Sequence, residues 1–436
     1  MACRSTQPSS EPLPLRIHAA QWVIPVDSPV IENGAVVTFG GKIIETGPAN
    51  QMRTRYHGEM KKYGDAVLMP GLINAHSHIE LAPLKWRLSP TGSFMGWVRN
   101  LIEARSRIES HEWIPAIEES IDSLFQDGVI GVGDVGNLDF INDIVSDFRR
   151  TWPFRGIFFR EMINPTADAG SIPDIGGLPA MSETKKSGNI SGRNGFGFTV
   201  SAHAPYSVSP WLLQEIKAWN RARGFPFAIH AAESLEEMEF LRSGTGPVRD
   251  FLEERCHWPL NYRIPSTTPV RYLHSLGLLD RNTICVHAVH LDSKEISLLA
   301  STGASVCLCP RSNMFLGVGI PQAEDLHRAG IPLALGTDSL ASNDRLSIFA
   351  EMASLTGLAP GLSPVDILEA ATAGGAWALG LSHRLGSLSP GKDAVFLALR
   401  SDRLPVANIV EFLVSEGSRD HVECYVVDES TQTPAA

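Results

Sequence analysis

The chain has 436 residues, 43% of them apolar and 19% charged, with a formal net charge of −11. That length allows one large domain plus a small one around a sizeable core. The acidic balance argues against nucleic acid or an anionic membrane surface as a partner, and no apolar run is long enough to span a bilayer.

In chain order, residues 1–14 are polar, rich in Ser and Pro, and lack an apolar core segment. They read as a disordered tail and not as a signal peptide. From 15 to 68 the pattern is strand-like: Ile17–Ile24, Glu32–Phe39, the turn Gly40-Gly41 and Lys42–Thr46 make a hairpin meander. The same style returns in 385–436, at Asp393–Leu399 and Val422–Val427, so the two ends are expected to build one small β-sandwich domain together. Between them, 69–384 alternates short apolar runs with helical stretches. One run ends at Leu72; the others are Val129–Val132, Phe154–Phe159, Phe198–Ala202, Pro226–Ile229, Thr283–Val286, Ala304–Leu308 and Pro332–Leu335. Helical spacing marks Trp113–Phe125, Trp211–Arg223, Ser293–Ser301 and Pro364–Leu379. Repeated strand–helix units mean a parallel sheet, and eight is the barrel number. The expected fold is therefore α/β, a (β/α)8 TIM barrel over 69–384 with the composite domain attached.

The cysteines (Cys3, Cys256, Cys285, Cys307, Cys309, Cys424) form no CxxC pair, which argues against a zinc ribbon or a thioredoxin-type site. Cys307 and Cys309 alternate in an apolar run and read as buried core residues. Reduced thiols fit a cytoplasmic location.

Nearly every apolar run ends in a residue fit for metal or acid–base work. The first closes on His76-Ser77-His78, the fourth on His203, the fifth on His230 with Glu233 three residues on, the sixth on His287, and the last on Gly336-Thr337-Asp338. In a barrel the C-terminal ends of all strands open on one rim, so these side chains converge there. A His-x-His pair on a strand puts both imidazoles on one face. Three neutral imidazoles and a carboxylate suit one divalent transition ion, Zn2+ first and Fe2+ second, which acidifies its water to near neutrality.

The stretch Pro70-Gly71-Leu72-Ile73-Asn74-Ala75-His76-Ser77-His78, with His230, His287 and Gly336-Thr337-Asp338, resembles the amidohydrolase superfamily over nearly the whole chain. That resemblance implies His76, His78 and His230 as metal ligands, and Asp338 as ligand and proton acceptor. Two-metal members bridge their ions with a modified lysine on the fourth strand, and no lysine stands in or just after Phe198–Ala202. His230 and Glu233 instead match the His-x-x-Glu of the mononuclear deaminase and chlorohydrolase branch. In a deaminase of that branch Glu233 moves a proton to the ring and then to the leaving amine. His287 stabilises or helps deprotonate the attacking hydroxide, and His203 orients the substrate.

Several stretches further resemble the 6-amino-6-deoxyfutalosine deaminases of menaquinone biosynthesis, which convert a substituted adenosine to its inosine counterpart. They are Ser93–Trp97, His203–Ser207, His230–Phe240, Gly244–Glu253, Cys309–Asn313 and Asp338–Asn343. On that likeness Phe94 and Trp97 wall the pocket, Glu161 and Arg311 meet the polar tail, and Arg249 is a second cation for its carboxylate.

Plainer readings compete. Trp97 on an amphipathic stretch is ordinarily core, and Arg311 fits a rim salt bridge. Gly131-x-Gly133-x-x-Gly136 spells a dinucleotide fingerprint, but no helix with a following acidic residue supports it, and close packing explains its glycines. Gly386–Lys392 nearly spells a P-loop, yet Asp393 replaces the needed hydroxyl, so it reads as a turn. His290 is left open between a structural and a ligand-orienting role. Within the superfamily, deamination of adenosine, S-adenosylhomocysteine or guanine and dechlorination of a heterocycle are the alternatives. From another class, a non-catalytic barrel would serve as a binding module, and such a protein would be expected to have lost ligands. The expected partner is a small-molecule nucleoside, and a homodimer is compatible with the chain.

Overall fold

A computed structural model describes residues 14–137, 154–168, 196–255, 263–405, 407–417 and 423–428. The tail expected over 1–14 lies outside the described residues apart from residue 14, as do Cys3 and Cys256. The strands are β1 (Arg16–Val23), β2 (Ile31–Phe39), β3 (Lys42–Pro48), β4 (Glu59–Pro70), β5 (Leu72–Ser77), β6 (Val129–Gly136) and β7 (Arg155–Met162). They continue as β8 (Phe196–Ala202), β9 (Phe227–Ala231), β10 (Thr283–His287), β11 (Ser305–Leu308), β12 (Leu333–Leu335), β13 (Val395–Arg400) and β14 (Glu423–Asp428).

The two chain ends meet in one six-stranded sheet, ordered β14-β13-β4-β1-β2-β3, through antiparallel pairing of β4 with β13. Alternation along these strands gives it two apolar faces. Trp22, Val67, Met69, Leu397 and Leu399 join the large core that also holds Leu72, Leu124 and Val129. Val23, Val36, Leu68, Phe396 and Ala398 form a smaller core on the opposite face. The described strands of the expected β-sandwich domain pair continuously in this one sheet. One face packs against the helices and parallel strands, and the other encloses a core drawn from β1, β2, β3, β4, β13 and β14.

The middle of the chain is α/β, with eight parallel strands in two four-stranded sheets, β5-β6-β7-β8 and β12-β11-β10-β9. Backbone hydrogen bonds cross from one sheet to the other at both edges. His230 N–H donates to the His203 carbonyl at 3.0 Å; at the other edge Thr337 and Asp338 N–H donate to the His76 carbonyl at 3.0 and 3.2 Å. Both crossings fall on the polar residues at the strand ends.

Helices Ser110–Gln126, Pro210–Arg223 and Ser293–Thr302 form where the apolar spacing predicts them. Ser209 and Asp292 cap their N-termini with side-chain bonds, and Gly224 and Gly303 end them in left-handed conformation. The helix predicted over 364–379 is broken. It runs Pro364–Glu369, widens into a π turn over Ala370–Gly374, and resumes at Gly375–Ala378. A Cβ on Gly374 would stand 1.9 Å from the Leu333 carbonyl oxygen, so helix and β12 approach backbone to backbone there. Gly133 in β6 is likewise a packing glycine, since a Cβ would meet the Ala75 carbonyl oxygen at 2.6 Å. Cys307 and Cys309 are fully buried. No helix among the described residues is long and apolar enough to cross a membrane.

A buried ion cluster joins the six-stranded sheet to β7. Asp393 accepts from Lys42 Nζ at 2.7 Å and Arg384 Nε at 2.9 Å, with Arg155 Nε 3.6 Å away. Burial pushes its pKa up, but the bonds from Lys42 and Arg384 and the charges of Arg384 and Arg155 outweigh burial and hold it below its usual value. A depressed folded pKa gives stability that is present above the unfolded value of about 3.9 and is lost as pH falls through the folded one. Asp393→Asn is therefore expected to cost about 1–3 kcal/mol at pH 7, because it removes the charged acceptor of Lys42 and Arg384 and the carboxylate beside the buried Arg155. The gap from wild type should narrow at about pH 3.5. Denaturant unfolding of both proteins at the two pH values checks this; equal stability at pH 7 would contradict it.

Candidate active site

Each predicted metal-ligating and acid–base residue stands at or just past the end of a parallel strand. β5 carries His76 and is followed by His78, β9 carries His230, β10 ends in His287, and Asp338 follows β12. The chain turns sharply at these ends. Ala232, His287, Ala288 and Asp338 all have positive φ, at 55°, 70°, 49° and 55°. Non-glycine residues rarely adopt that backbone, and such strain concentrates where a site must hold its geometry.

His230 Nε2 lies 3.2 Å from His76 Nε2 and 3.3 Å from His78 Nε2, and Asp338 Oδ1 stands 3.8 Å from both His76 and His78 Nε2. Four donors at bonds of about 2.1 Å around a tetrahedral ion would sit about 3.4 Å apart. The neighbours also set the lone pairs. His230 Nδ1–H donates to the His203 carbonyl at 2.7 Å, which leaves Nε2 unprotonated toward the other two imidazoles. Burial first, then neighbouring histidines, lowers the pKa of His76 and His230, and burial lowers that of His78, so all three are neutral. For Asp338, burial pushes the pKa up and cationic His78, His287 and His76 would pull it down; with those rings neutral, the hydroxyl donated by Ser312 is what favours the carboxylate. Neutral imidazoles and an ionised carboxylate are the ligating forms, so the residues fit a divalent cation.

A layer of supporting bonds aims these groups. Ser312 and Ser342 hydroxyls donate to Asp338 Oδ2 at 2.5 and 2.8 Å, which leaves Oδ1 to face the histidines. His287 Nδ1–H donates to Asn313 Oδ1 at 2.8 Å, and its Nε2 stands 3.6 Å from Glu233 Oε1. Asp134 accepts from Ser77 Oγ and the Ile79 N–H, both at 2.9 Å, fixing the turn that carries His78. Glu237 accepts the Glu233 N–H at 2.9 Å. The Glu233 carboxyl is held well above its ordinary pKa by burial first and then by the charge of Asp338. Its protonated form is thereby favoured.

These groups open onto a cavity of about 480 Å³ that Phe94, Trp97, Glu161 and His203 also line. Arg311 does not reach it. Its side chain is bound to Asn343 and Asp344 and stands 3.6 Å from the buried Glu351, so the pocket contact expected of it is corrected to an ion pair that compensates Glu351. Arg249 is absent from the lining and pairs with Glu253. The cations on the cavity are Arg105, which pairs with Glu80, and Arg255, which stacks on Phe251. Glu161 lies within 4.8 Å of ligand nitrogens of His78 and His230, at the polar end of the cavity and not at the outer end expected for it. Burial first and Glu80 next raise its pKa to about 8, so it is a neutral acid there. His290 does not line the cavity. Sequence reasoning missed Ser312, Asn313, Ser342 and Asp134. The first three lie inside stretches noted for resemblance, and nothing local marks which neighbour faces inward.

The chain is similar to known proteins of several kinds. The chain is 28% identical over 348 residues to the aminodeoxyfutalosine deaminase of Deinococcus radiodurans, covering 78% of this chain and 80% of that one. It is 30% identical over 424 residues to the 5-methylthioadenosine/S-adenosylhomocysteine deaminase of Nitratidesulfovibrio vulgaris, covering 91% and 87%. The crystal structure of a zinc-bound adenosine deaminase from Xanthomonas campestris superposes with a TM-score of 0.75 at 25% identity, covering 92% of this chain and 88% of that one. Its likeness gives the two parallel sheets a TIM-barrel-type architecture. A model of the amidohydrolase family matches residues 67–422, so the chain belongs to the amidohydrolase family.

Proposed function

We propose that this amidohydrolase is a hydrolytic deaminase of an adenosine-type nucleoside, with 6-amino-6-deoxyfutalosine as its substrate in the futalosine route to menaquinone. The observation that carries the deaminase reading is Glu233. A buried, protonated carboxyl, three residues past a ligating histidine and facing the cavity, is what protonation of a purine ring and of departing ammonia requires.

In this reading His76, His78, His230 and Asp338 hold one ion, Zn2+ before Fe2+, and the catalytic unit is a closed barrel over 69–384. A bound ion would supply the acidity that makes water a nucleophile near neutral pH. Asp338 accepts the proton that the attacking water loses. Glu233 gives its own proton to N1 of the ring as the new C–O bond forms at C6. Glu233 then takes the proton of the C6 hydroxyl as the carbonyl forms and passes it to the amino group. The C–N bond breaks, ammonia leaves the inosine-type product, and the proton on Asp338 returns to Glu233. His287, held by Asn313 beside Glu233, stabilises the incoming hydroxide. His203 orients the base, Phe94 and Trp97 flank it, and Glu161 donates a hydrogen bond from the polar end.

The similarity to the Deinococcus enzyme favours aminodeoxyfutalosine, and so does the cavity's outer end, where apolar Phe251 and Leu252 lead to the exposed guanidinium of Arg255. The benzoate of that substrate would meet Arg255. The 30% identity to the Nitratidesulfovibrio enzyme favours a second reading, in which 5-methylthioadenosine or S-adenosylhomocysteine is deaminated.

Purified protein is expected to carry about one transition metal per chain, because the donors converge on one point. Elemental analysis showing two tightly held ions, or none after metal-supplemented growth, would overturn the mononuclear site. Glu233→Gln should keep its metal yet lose about 10²–10⁴-fold in kcat, the range for a general acid–base group. Near-normal turnover would remove the proton-shuttle role. Ammonia release should favour aminodeoxyfutalosine over adenosine and S-adenosylhomocysteine by about two- to fivefold in kcat/KM, since an exposed ion pair contributes up to about 1 kcal/mol. Equal or better turnover of either rival would discard the menaquinone assignment.

A further inference from the structure

One wall of the cavity is a single element, the helix Phe94–Ser106. Phe94, Met95, Trp97, Val98 and Leu101 all face the cavity from it. A helix begins with backbone N–H groups that have no partner within the helix, and something must satisfy them. Ser93 Oγ accepts the Gly96 N–H at 3.1 Å, and the Ser93 carbonyl accepts that of Trp97 at 3.0 Å. The first two N–H groups go elsewhere in the chain. Glu236 Oε1 accepts the Phe94 N–H at 3.1 Å and Oε2 accepts the Met95 N–H at 2.7 Å, while the Ser93 hydroxyl donates to Oε1 at 2.8 Å. One carboxylate thus takes three donors at the positive end of the helix, where an anion is most favourable.

Glu236 stands three residues after Glu233, at the start of the helix Leu235–Ser243. That short segment divides its carboxylates among three tasks. Glu233 faces the cavity, Glu237 holds the Glu233 N–H, and Glu236 reaches across to the opposite wall. Two further ties hold the wall helix. Arg99 to Glu254 joins side chains that are 37% and 58% exposed, and pairs that exposed contribute little, while Arg105 to Glu80 at 3.0 Å anchors its last turns and leaves the first turn to Glu236.

We infer that Glu236 is a positioning residue of this site: it latches the helix Phe94–Ser106 against the cavity and thereby sets affinity for substrate, leaving the proton transfers of Glu233 unaffected. The kinetic half of this inference rests on the deaminase reading; the latch itself does not.

The experiment has two arms on the whole metal-loaded protein, comparing wild type with Glu236→Ala and Glu236→Gln. Hydrogen exchange reads the latch directly. Amides of Phe94–Ser106 should exchange about tenfold faster or more in the Ala variant, with an intermediate gain in the Gln variant, which keeps one acceptor oxygen. Amides of the distant helix Ile348–Leu358 should exchange as in wild type, which separates local opening from general destabilisation. Ammonia release reads the consequence: KM should rise about tenfold or more in the Ala variant while kcat stays within about threefold. Unchanged exchange in Phe94–Ser106 would overturn the latch, as would equal acceleration in both helices. Faster exchange with a fallen kcat and an unchanged KM would overturn the role in affinity. A wild type that deaminates none of aminodeoxyfutalosine, S-adenosylhomocysteine and adenosine would sink the deaminase reading, and exchange alone would then decide the latch.

Discussion

Three ring nitrogens crowd together in this site: the His230 Nε2 lone pair is packed 3.2 Å from His76 Nε2 and 3.3 Å from His78 Nε2. A cation among them turns that crowding into coordination, and much of the surrounding structure serves to hold that arrangement. The two sheets of parallel strands meet at these residues. One junction is the bond from the His230 N–H to the His203 carbonyl, and the other is the pair of bonds from Thr337 and Asp338 to the His76 carbonyl. The same backbone groups that join the sheets therefore fix the donor positions, and the left-handed residues at the strand ends turn the side chains inward.

Around that point the protein sorts its carboxylates by environment. Asp338 receives two serine hydroxyls and stays ionised, while Glu233, buried without such donors and beside that charge, holds its proton. Two acids with pKa values pushed apart are the arrangement by which one site can both accept and donate a proton. Asp393, far from the cavity, shows a structural use of the same principle: cations outweigh burial, and its ionised form ties the sheet of the chain ends to β7.

Much of this is legible in the sequence because strand ends are local events. A run such as Thr283–Val286 followed by His287 states both the strand and the side chain that leaves it, and β5, β9 and β12 are read the same way. What fails depends on distant partners. Arg311 was an expected pocket residue, yet Glu351 and Asp344, many positions later, draw it away, while its neighbours Ser312 and Asn313 face the site. Which of three adjacent polar residues points inward is decided by a helix start at Pro310, not by composition. Alternation in β4 and β13 shows two apolar faces but cannot say whether a sheet or a layer of helices covers the second. The break at Ala370–Gly374 follows from the closeness of Leu333, which no propensity scale contains.

The most direct test is a crystal structure of the metal-loaded protein with anomalous scattering recorded at the absorption edge of the ion. One strong peak is predicted, within about 2.0–2.2 Å of His76, His78 and His230 Nε2 and of an Asp338 oxygen, with Glu233 and Glu161 outside bonding distance. A peak bonded to Glu233 or Glu161 in place of Asp338, or a second peak of equal strength beside the first, would contradict the account.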